Sequence, residues 1–252
     1  MNALAWGCVA SSLGVALSGC TTLDPGPPQF AVEIEAGALW QSRNDVAVPG
    51  DTGTRFALDD LTGSGPFPVG RIEALWRPAP RHEVRGVIAP IETSGQGTLD
   101  EPVEFAGATF AAGAETDAIF RFNSYRVTYR YLFFQGEEWE WRAGLTAFVR
   151  DALIELEQAG VSAEKSNTGL VPLLHVAGSW RFADDWRVAL DADAAAASQG
   201  RAIDAALKGY WRLGDAVELG FGYRTIEGGA DNDEVYTFTW LHQAVVSLRW
   251  TF

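Results

Sequence analysis

The 252-residue sequence predicts an all-β fold, a closed antiparallel up-and-down transmembrane β-barrel of ten strands. Three observations predict it: apolar and polar residues alternate with a period of two, short and long connections alternate, and tryptophans cluster beside the short connections. Soluble β-sandwiches also alternate, but several segments here exceed the roughly 9–11 residues that a tilted strand needs to cross a membrane.

Composition limits the classes of function. The sequence contains 33 acidic and 19 basic residues, a formal net charge of −14, so we expect no nucleic-acid partner, which would require a basic surface. Its two cysteines and three histidines form no recognisable zinc pattern, and we expect no metal and no cofactor. A hydrophobic fraction of 47% excludes a disordered acidic tail.

The beginning of the sequence predicts export. An uncharged apolar run ends in small residues before Cys20, so we interpret residues 1–19 as a signal peptide. Residues 20–28 contain three prolines and predict a stiff tether. Leu17-Ser-Gly-Cys20 resembles the lipobox of bacterial lipoproteins, which implies that Cys20 is a lipid attachment site. The alternative is an ordinary signal peptide with a chance cysteine.

Residues 29–252 form the predicted barrel domain. In its first strand Phe30, Ile34 and Trp40 share one face, and Glu33 and Glu35 occupy the other. The same alternation defines ten segments, 29–43, 66–77, 82–92, 118–134, 138–154, 169–182, 186–197, 201–213, 217–226 and 235–252.

The connections between these segments are asymmetric. Short ones lie near 78–81, 135–137, 183–185 and 214–216, and long ones lie near 44–65, 93–117 and 155–168. Short periplasmic turns and long external loops are typical of outer-membrane barrels. Eight strands remain the alternative, if segments 66–77 and 82–92 form only a hairpin within a loop.

Aromatic residues indicate two interfacial belts. Seven tryptophans lie beside a short turn or the C terminus, namely Trp76, Trp139, Trp141, Trp180, Trp186, Trp211 and Trp250. Trp40 and Trp240 lie toward the opposite end. The alternating last strand, which ends in Phe252, resembles the C-terminal strand of bacterial outer-membrane proteins.

Residues 29–252 thus resemble the class of small Gram-negative outer-membrane β-barrels. The resemblance implies a location in the bacterial outer membrane. It also implies outer-membrane lipid and lipopolysaccharide as partners, together with the barrel-insertion machinery that would recognise the strand ending in Phe252.

The inward positions carry both signs of charge. The predicted lumen charge network comprises Arg126, Arg130, Arg142, Arg150, His175, Asp191, Asp193, Asp204 and Lys208. Hairpin geometry places His175 opposite Asp193, Asp191 opposite Lys208, Arg212 opposite Glu218 and Glu73 opposite Arg85. Because 17 of the 19 basic residues are arginine, which favours bidentate pairing, we expect a salt-bridged plug. A narrow ion path lined by arginine is the alternative.

The net charge is concentrated in the predicted external loops. Segments 44–65, 92–115, 155–168 and 227–234 contain sixteen acidic residues and two basic ones, a difference equal to the whole net charge. We name these acidic residues the acidic crown, and we expect it to attract cationic solutes. Asp231-Asn-Asp-Glu234 lacks the frame of a calcium loop and is interpreted as a solvated tip.

Histidines supply the weak catalytic candidates. His175 with Asp193 could act as a base, but the preferred interpretation of the pair is a lumen histidine satisfied by its carboxylate. His242 faces outward near Trp240 and is interpreted as a belt residue, because the sequence places no outward serine beside it. Omptin-type proteases and lipid A deacylases are enzymatic barrels, but their catalytic motifs are not matched here.

Three hypotheses of function follow. The first is an envelope barrel with a plugged lumen and acidic external loops, in a structural or extracellular recognition role. The second is a narrow ion channel. The third is a surface hydrolase, of protease or lipid A-modifying type, using His175 with Asp193.

Overall fold

The structure is a computed structural model, described over residues 29–198 and 200–252. The predicted signal peptide, the tether and Cys20 lie outside the described residues. Within them the elements are β1 (Gln29–Ala47), β2 (Phe56–Ala57), α1 (Asp59–Thr62), β3 (Phe67–Ala79), β4 (His82–Ala89), β5 (Glu92–Thr98), β6 (Val103–Phe105), β7 (Ala108–Phe110), β8 (Glu115–Gln135), β9 (Trp139–Gln158), β10 (Val161–Ala183), β11 (Trp186–Ala197), β12 (Gly200–Arg212), β13 (Val217–Asn232) and β14 (Val235–Thr251). In this part of the chain no helix is long and apolar enough to cross a membrane.

Ten of the described strands close one antiparallel barrel, which confirms the predicted fold class. The order around the wall is β1-β3-β4-β8-β9-β10-β11-β12-β13-β14, and β14 pairs with β1. Closure gives every wall strand a paired neighbour on each side, as a spanning sheet requires in hydrocarbon. The eight-strand alternative is wrong, because β3 pairs with β1 and β4 pairs with β8 within the wall.

Two segments assigned to external loops are strand extensions. β9 and β10 remain paired up to Gln158 and Val161, and the turn between them has positive φ at Ala159 and Gly160. Such a two-residue turn suits a twisted hairpin. The prediction of a long loop at 155–168 is therefore wrong, and residues 227–232 likewise continue β13.

The third wall strand is interrupted by a proline. β4 and β5 both pair with β8, and Pro90 lies between them, where it has no N–H to donate to the ladder. The predicted loop 93–117 consequently begins with strand β5 and contains the hairpin β6–β7.

The long connections fold into an apolar cap over the external end of the barrel. The cap is built by α1, by the hairpin β6–β7 and by the external ends of the wall strands. Its buried core comprises Leu39, Val46, Val48, Leu58, Leu61, Ile91, Leu99, Val103, Phe105, Phe110, Ala118, Phe120, Ile154, Leu156, Ile226 and Leu241. These residues bury against one another because the long connections are too apolar to remain solvated.

The outer surface is apolar and carries aromatic belts. Leu145, Leu170 and Leu174 are among the exposed apolar side chains, as a lipid-facing wall requires. At the periplasmic end the rings of Trp139 and Trp180 stack with centroids 5.2 Å apart. A second stack, between Trp186 and Trp211, has a centroid separation of 5.8 Å.

Strand register differs from prediction at two hairpins. His175 lies opposite Asp193 and Arg212 lies opposite Glu218, in the predicted registers. Asp191 lies opposite Ala206 rather than Lys208, because the β11–β12 hairpin closes at Ala197 and Gly200. Glu73 lies opposite Val87 rather than Arg85, because β3 and β4 shift register between Trp76 and Ala79. A shift of two keeps each side chain on the same face.

Candidate functional site

The middle of the lumen holds a connected set of charged side chains, which we name the lumen network. It comprises Glu33, Glu35, Arg71, Glu73, Glu83, Arg85, Arg126, Arg130, His175, Asp191, Asp193, Asp204, Lys208 and Arg224. Alternation along the strands directs all of them inward while their neighbours face lipid. Most are buried.

Arg85 lies at the centre of one half of this network. Its guanidinium is fully buried and lies 2.6 Å from Asp191 and 3.1 Å from Asp193. Arg126 lies 2.9 Å from Asp193 and 2.8 Å from Asp204, so two arginines share one aspartate. A buried charge is tolerated only with such partners, because its solvation is lost.

Lys208 anchors the other half. Its ammonium donates to Glu33 at 2.6 Å and to Glu35 at 2.8 Å. The Tyr210 hydroxyl also donates to Glu33, at 3.0 Å. Arg224 donates to Asp204 at 2.8 Å and thereby joins the two halves.

Two glycines of β13 make room for this half. A Cβ on Gly220 would lie 2.9 Å from the Tyr210 ring, and one on Gly222 would lie 2.8 Å from Cγ of Lys208. Both distances are closer than real Cβ contacts. The glycines therefore allow long side chains of β12 to lie flat against the neighbouring strand.

His175 is held inside the network. Its Nδ1 lies 2.9 Å from Asp193, and its Nε2 lies 3.8 Å from Asp191 and 3.5 Å from a nitrogen of Arg130. Thr146 donates to the same Asp193 at 2.6 Å. Among the described residues no serine, threonine or cysteine hydrogen-bonds to His175, so the pair lacks a nucleophile.

His175, Asp191 and Asp193 are also the cluster best placed for a metal ion. Their ligand atoms lie within 4.8 Å of one another. The carboxylate oxygens, however, already accept from Arg85 and Arg126. A cation would have to displace these guanidinium groups, so the cluster is suited to ion pairing rather than to metal binding.

Two predicted members lie apart from the network. Arg142 donates to Glu140 at 2.9 Å near the periplasmic end, and Arg150 donates to Asn167 on the external side. The sequence analysis omitted Glu83 and Tyr210, although both lie at inward positions of their strands. Extending the alternation over the whole of β4 and β12 would have identified them.

Below the network the lumen widens into a vestibule that opens at the periplasmic end. Its cavity volume is about 340 Å³, and charged side chains of both signs line it. Arg187 lies 2.7 Å from Glu218 in its wall. Above the network lies the cap core.

Buried amides fasten the cap to the barrel wall. Gln41 donates to the Thr62 hydroxyl at 3.0 Å and to the Gly63 carbonyl at 2.8 Å. Asn44 donates to Gln41 at 2.9 Å and accepts from Thr239 at 3.0 Å. Helix α1 is thus connected to both strands of the closure seam, β1 and β14.

The acidic crown is partly neutralised in three dimensions. Three arginines outside the predicted loops or at their edges pair with crown carboxylates: Arg43 with Asp45, Arg121 with Glu92 and Arg201 with Glu227. Within α1, burial raises the pKa of Asp59. Asp51, Asp60, Glu101, Glu104 and Asp231 remain exposed.

Comparisons with known proteins identify the architecture. No protein-family model and no curated protein matches the sequence. Among solved structures, the outer membrane protease OmpT from Escherichia coli matches with a TM-score of 0.54 at 10% identity, covering 92% of this chain and 99% of that one. This chain has the fold of a bacterial outer-membrane β-barrel.

Two further solved structures match with lower TM-scores. Neisserial surface protein A has a TM-score of 0.37 at 10% identity, covering 88% of this chain and 97% of its own. Ail, the attachment invasion locus protein of Yersinia pestis, has a TM-score of 0.39 at 12% identity, covering 86% and 98%. At such identities the likeness concerns the fold of the outer-membrane barrel and not its activity.

Proposed function

We propose that this outer-membrane barrel is closed to ions and serves a structural or recognition role at the cell envelope. The observation that carries the proposal is the double occupation of the lumen, by the lumen network in the middle and by the apolar cap above it. Either filling alone leaves little space for water in a ten-stranded barrel, whose interior is only slightly wider than that of an eight-stranded one.

The pairing within the network argues against an ion path. A permeating anion would have to replace a carboxylate that already contacts its arginine at 2.6–3.1 Å, as Asp191 and Asp193 do with Arg85. A cation would meet buried guanidinium groups. Both displacements leave an uncompensated buried charge, which costs several kcal/mol, about 3–5 per broken pair.

The acidic crown supports recognition rather than transport. Its exposed carboxylates lie in the connections at the cap end of the barrel, so they would concentrate cationic partners at the external surface. The partners that we propose, lipopolysaccharide bridged by divalent cations and cationic solutes, follow from this charge. The tether and Cys20 would add a lipid anchor on the periplasmic side.

The His175–Asp193 hydrolase is not favoured by the geometry. Both side chains are buried, and among the described residues no hydroxyl or thiol hydrogen-bonds to His175, since the nearby Thr146 hydroxyl donates to Asp193 instead. OmpT is a protease, but its likeness to this barrel concerns the fold. We expect His175→Ala to leave any hydrolase activity of the barrel unchanged.

Conductance in a planar bilayer tests the proposal. We expect no steady current steps from the purified, refolded barrel. Heat-modifiable gel migration shows that the barrel has folded, and a general porin serves as the positive control. A matched variant lacking residues 99–113 removes the β6–β7 part of the cap and should still not conduct, because the network remains. Steady, voltage-independent steps from the unaltered barrel would contradict the proposal.

Binding of a cationic peptide to reconstituted vesicles tests the recognition role. We expect binding that weakens with added salt, since exposed charges are screened beyond about 10 Å at 0.1 M. Replacing Asp51, Asp60, Glu101 and Glu104 with their amides should reduce it, while the same number of replacements at Glu137, Glu138, Asp184 and Asp185 on the periplasmic turns should not. Equal losses in both variants would contradict a role for the crown.

A further inference from the structure

A serine, a histidine and a tyrosine meet on the outer face of the barrel, away from the lumen network. Ser42 Oγ lies 2.9 Å from His242 Nε2, and the Tyr223 hydroxyl hydrogen-bonds to His242 Nδ1. These residues come from β1, β14 and β13, three adjacent strands at the closure seam. We name them the seam triad.

A β-bulge leaves the outward-facing serine unpaired. Gln41 lies opposite Leu241 and Arg43 lies opposite Trp240, so Ser42 has no partner across the ladder. The inward positions change from odd residues before the bulge to even residues after it, and Ser42 and Arg43 both point outward. Bulges of this kind re-aim side chains and are common beside active sites.

The prediction that His242 has no outward serine beside it is therefore wrong. Trp40, not Ser42, lies directly opposite His242, and the serine reaches the imidazole diagonally from the bulge. Ser42 and His242 also lie near opposite ends of the barrel sequence, and alternation within one strand cannot predict a contact between two distant strands.

The triad lies at the depth of lipid ester bonds. Trp240 and Trp250 occupy the same face of β14 ten positions apart, a rise of about 25 Å for a strand tilted by about 40°. This rise equals the height of the apolar band of an outer-membrane barrel, so Trp240 marks its external edge. His242 lies two residues from Trp240 toward the bilayer centre, on the same outward face of β14. Its ring centroid is 5.2 Å from that of Trp240.

We propose that the seam triad hydrolyses acyl esters of membrane lipids, with Ser42 as nucleophile and His242 as general base. Tyr223 is a positioning residue. When its oxygen accepts from Nδ1–H, the Nε2 lone pair is directed at Ser42, whose hydroxyl donates to the Trp240 carbonyl at 3.2 Å and would turn from it to Nε2. This proposal goes beyond the closed barrel argued above and does not depend on it, since the lumen takes no part.

The reaction balances with water as the second reactant. His242 Nε2 takes the proton of Ser42 as Oγ bonds to the ester carbonyl carbon. The bond between that carbon and the lipid alkoxide oxygen breaks, and the alkoxide leaves with the proton from Nε2. Water, activated by the same nitrogen, then cleaves the acyl-serine, which releases a fatty acid and restores Ser42.

The surroundings fit an acyl chain and not a peptide. Exposed apolar side chains lie below the triad on the same strands, among them Val246 and Phe221. An acyl chain in the bilayer would lie along them with its ester at the level of Ser42. Glycerophospholipids and the ester-linked chains of lipopolysaccharide share this chemistry.

Release of fatty acid from proteoliposomes tests the proposal. One set of vesicles contains phosphatidylethanolamine and phosphatidylglycerol, and a second set adds lipopolysaccharide, so the two sources are distinguished. We expect release from at least one set, and we expect Ser42→Ala and His242→Asn to reduce it to the rate of vesicles without protein. A long-chain fluorophosphonate should label Ser42, located by mass spectrometry of the peptide.

His82 provides a matched control. Its Nδ1 lies 2.7 Å from the Tyr129 hydroxyl on the same outer wall, at the periplasmic end, and among the described residues no serine hydrogen-bonds to it. His82→Asn should leave release unchanged. Heat-modifiable migration of every variant separates loss of chemistry from loss of the fold.

Tyr223→Phe separates positioning from structure. We expect kcat to fall about tenfold with KM unchanged, because the ring still packs and only the hydrogen bond to Nδ1 is lost. Fatty-acid release that is absent from both vesicle sets, or that persists in Ser42→Ala, overturns the proposal. So does an equal effect of His82→Asn and His242→Asn.

Discussion

The external end of the barrel holds buried apolar side chains from the cap, whereas the middle of the lumen holds paired charges from the wall. Phe105 and Leu156 in the cap have no exposed surface, and neither has Arg85 in the network. Equal burial is thus reached by two kinds of chemistry in one barrel.

The difference between the two fillings lies in what supplies each residue's partners. An apolar side chain gains free energy from any close-packed neighbour, so the cap can be assembled from short, irregular connections. A buried charge needs particular partners at particular distances, so the network is built by strands whose register is set by the wall. Loss of one member should therefore cost more in the network than in the cap.

Arg85→Ala should have the largest effect. It leaves Asp191 and Asp193 short of a partner that lies 2.6 Å and 3.1 Å away, and we expect the free energy of unfolding to fall by about 4 kcal/mol. Urea unfolding of the barrel in detergent, followed by tryptophan fluorescence, measures it. Arg121→Ala, which breaks the exposed pair with Glu92, is the control and should cost under about 1 kcal/mol. Similar losses in the two variants would remove the distinction between buried and exposed pairs.

Phe105→Ala should lower the stability of the cap by nearly as much, without lowering the stability of the wall. Phe105 packs edge-on against Phe56 with ring centroids 6.0 Å apart, and its removal leaves a cavity worth about 3 kcal/mol. Because the cap can open while the wall stays paired, we expect faster proteolysis within residues 99–113 and an unchanged urea midpoint. Val127→Ala, on the lipid-facing wall, should change neither. A shifted midpoint for Phe105→Ala would mean that cap and wall unfold together.

The contrast also explains what the sequence could predict. Alternation in β14 is local, from Tyr236 to Thr251, and a strand that faces lipid on one side shows it in every second residue. Ten strands, their facing and the mixed-charge lumen follow from such local patterns. The cap does not, because Leu58, Phe105 and Leu156 come from separate segments and become neighbours only after folding.

Register and closure account for the other differences. The sequence predicted correctly that Asp191 and Lys208 point into the lumen, but Asp191 lies opposite Ala206 instead of Lys208. The turn is centred one residue earlier than predicted, and this displaces every pair of the hairpin by two residues. Ser42 and His242 meet across the seam, where no turn relates the two strands, and at a bulge that composition does not indicate. Contacts of this kind need the closed barrel.

Asn44→Ala tests the polar fastening between cap and wall. The variant leaves the side-chain oxygen of Gln41 and the Thr239 hydroxyl without their buried partner, which costs about 1–2 kcal/mol. We expect faster hydrogen exchange at the Thr62 and Gly63 amides, which donate to Leu58 and Asp59 in α1. Asn232→Ala, which affects only the exposed β13–β14 turn, should leave those amides protected. Unchanged exchange in Asn44→Ala would mean that apolar packing alone holds the helix.

Asp59→Asn should have the smallest effect on stability, and it should raise the stability of the cap rather than lower it. Burial raises the pKa of Asp59 above its ordinary value of 3.8, so the folded cap binds a proton more readily than the unfolded one. Cap stability therefore rises as the pH falls through the folded pKa toward 3.8, and at neutral pH the ionised carboxylate destabilises α1. An asparagine keeps the oxygen that accepts from the Asn44 backbone N–H at 3.0 Å without the charge.

We therefore expect Asp59→Asn to slow exchange at Thr62 and Gly63 at neutral pH and to abolish the difference between neutral and acidic pH at these amides. Asp51→Asn removes an equal charge from an exposed position of the same connection and should do neither. If both variants slowed exchange alike, the cap would respond to the summed charge of the crown. If only Asp59→Asn does, the response comes from burial of one carboxylate within an otherwise apolar cap, which is the physical difference between this region and the ion-paired network below it.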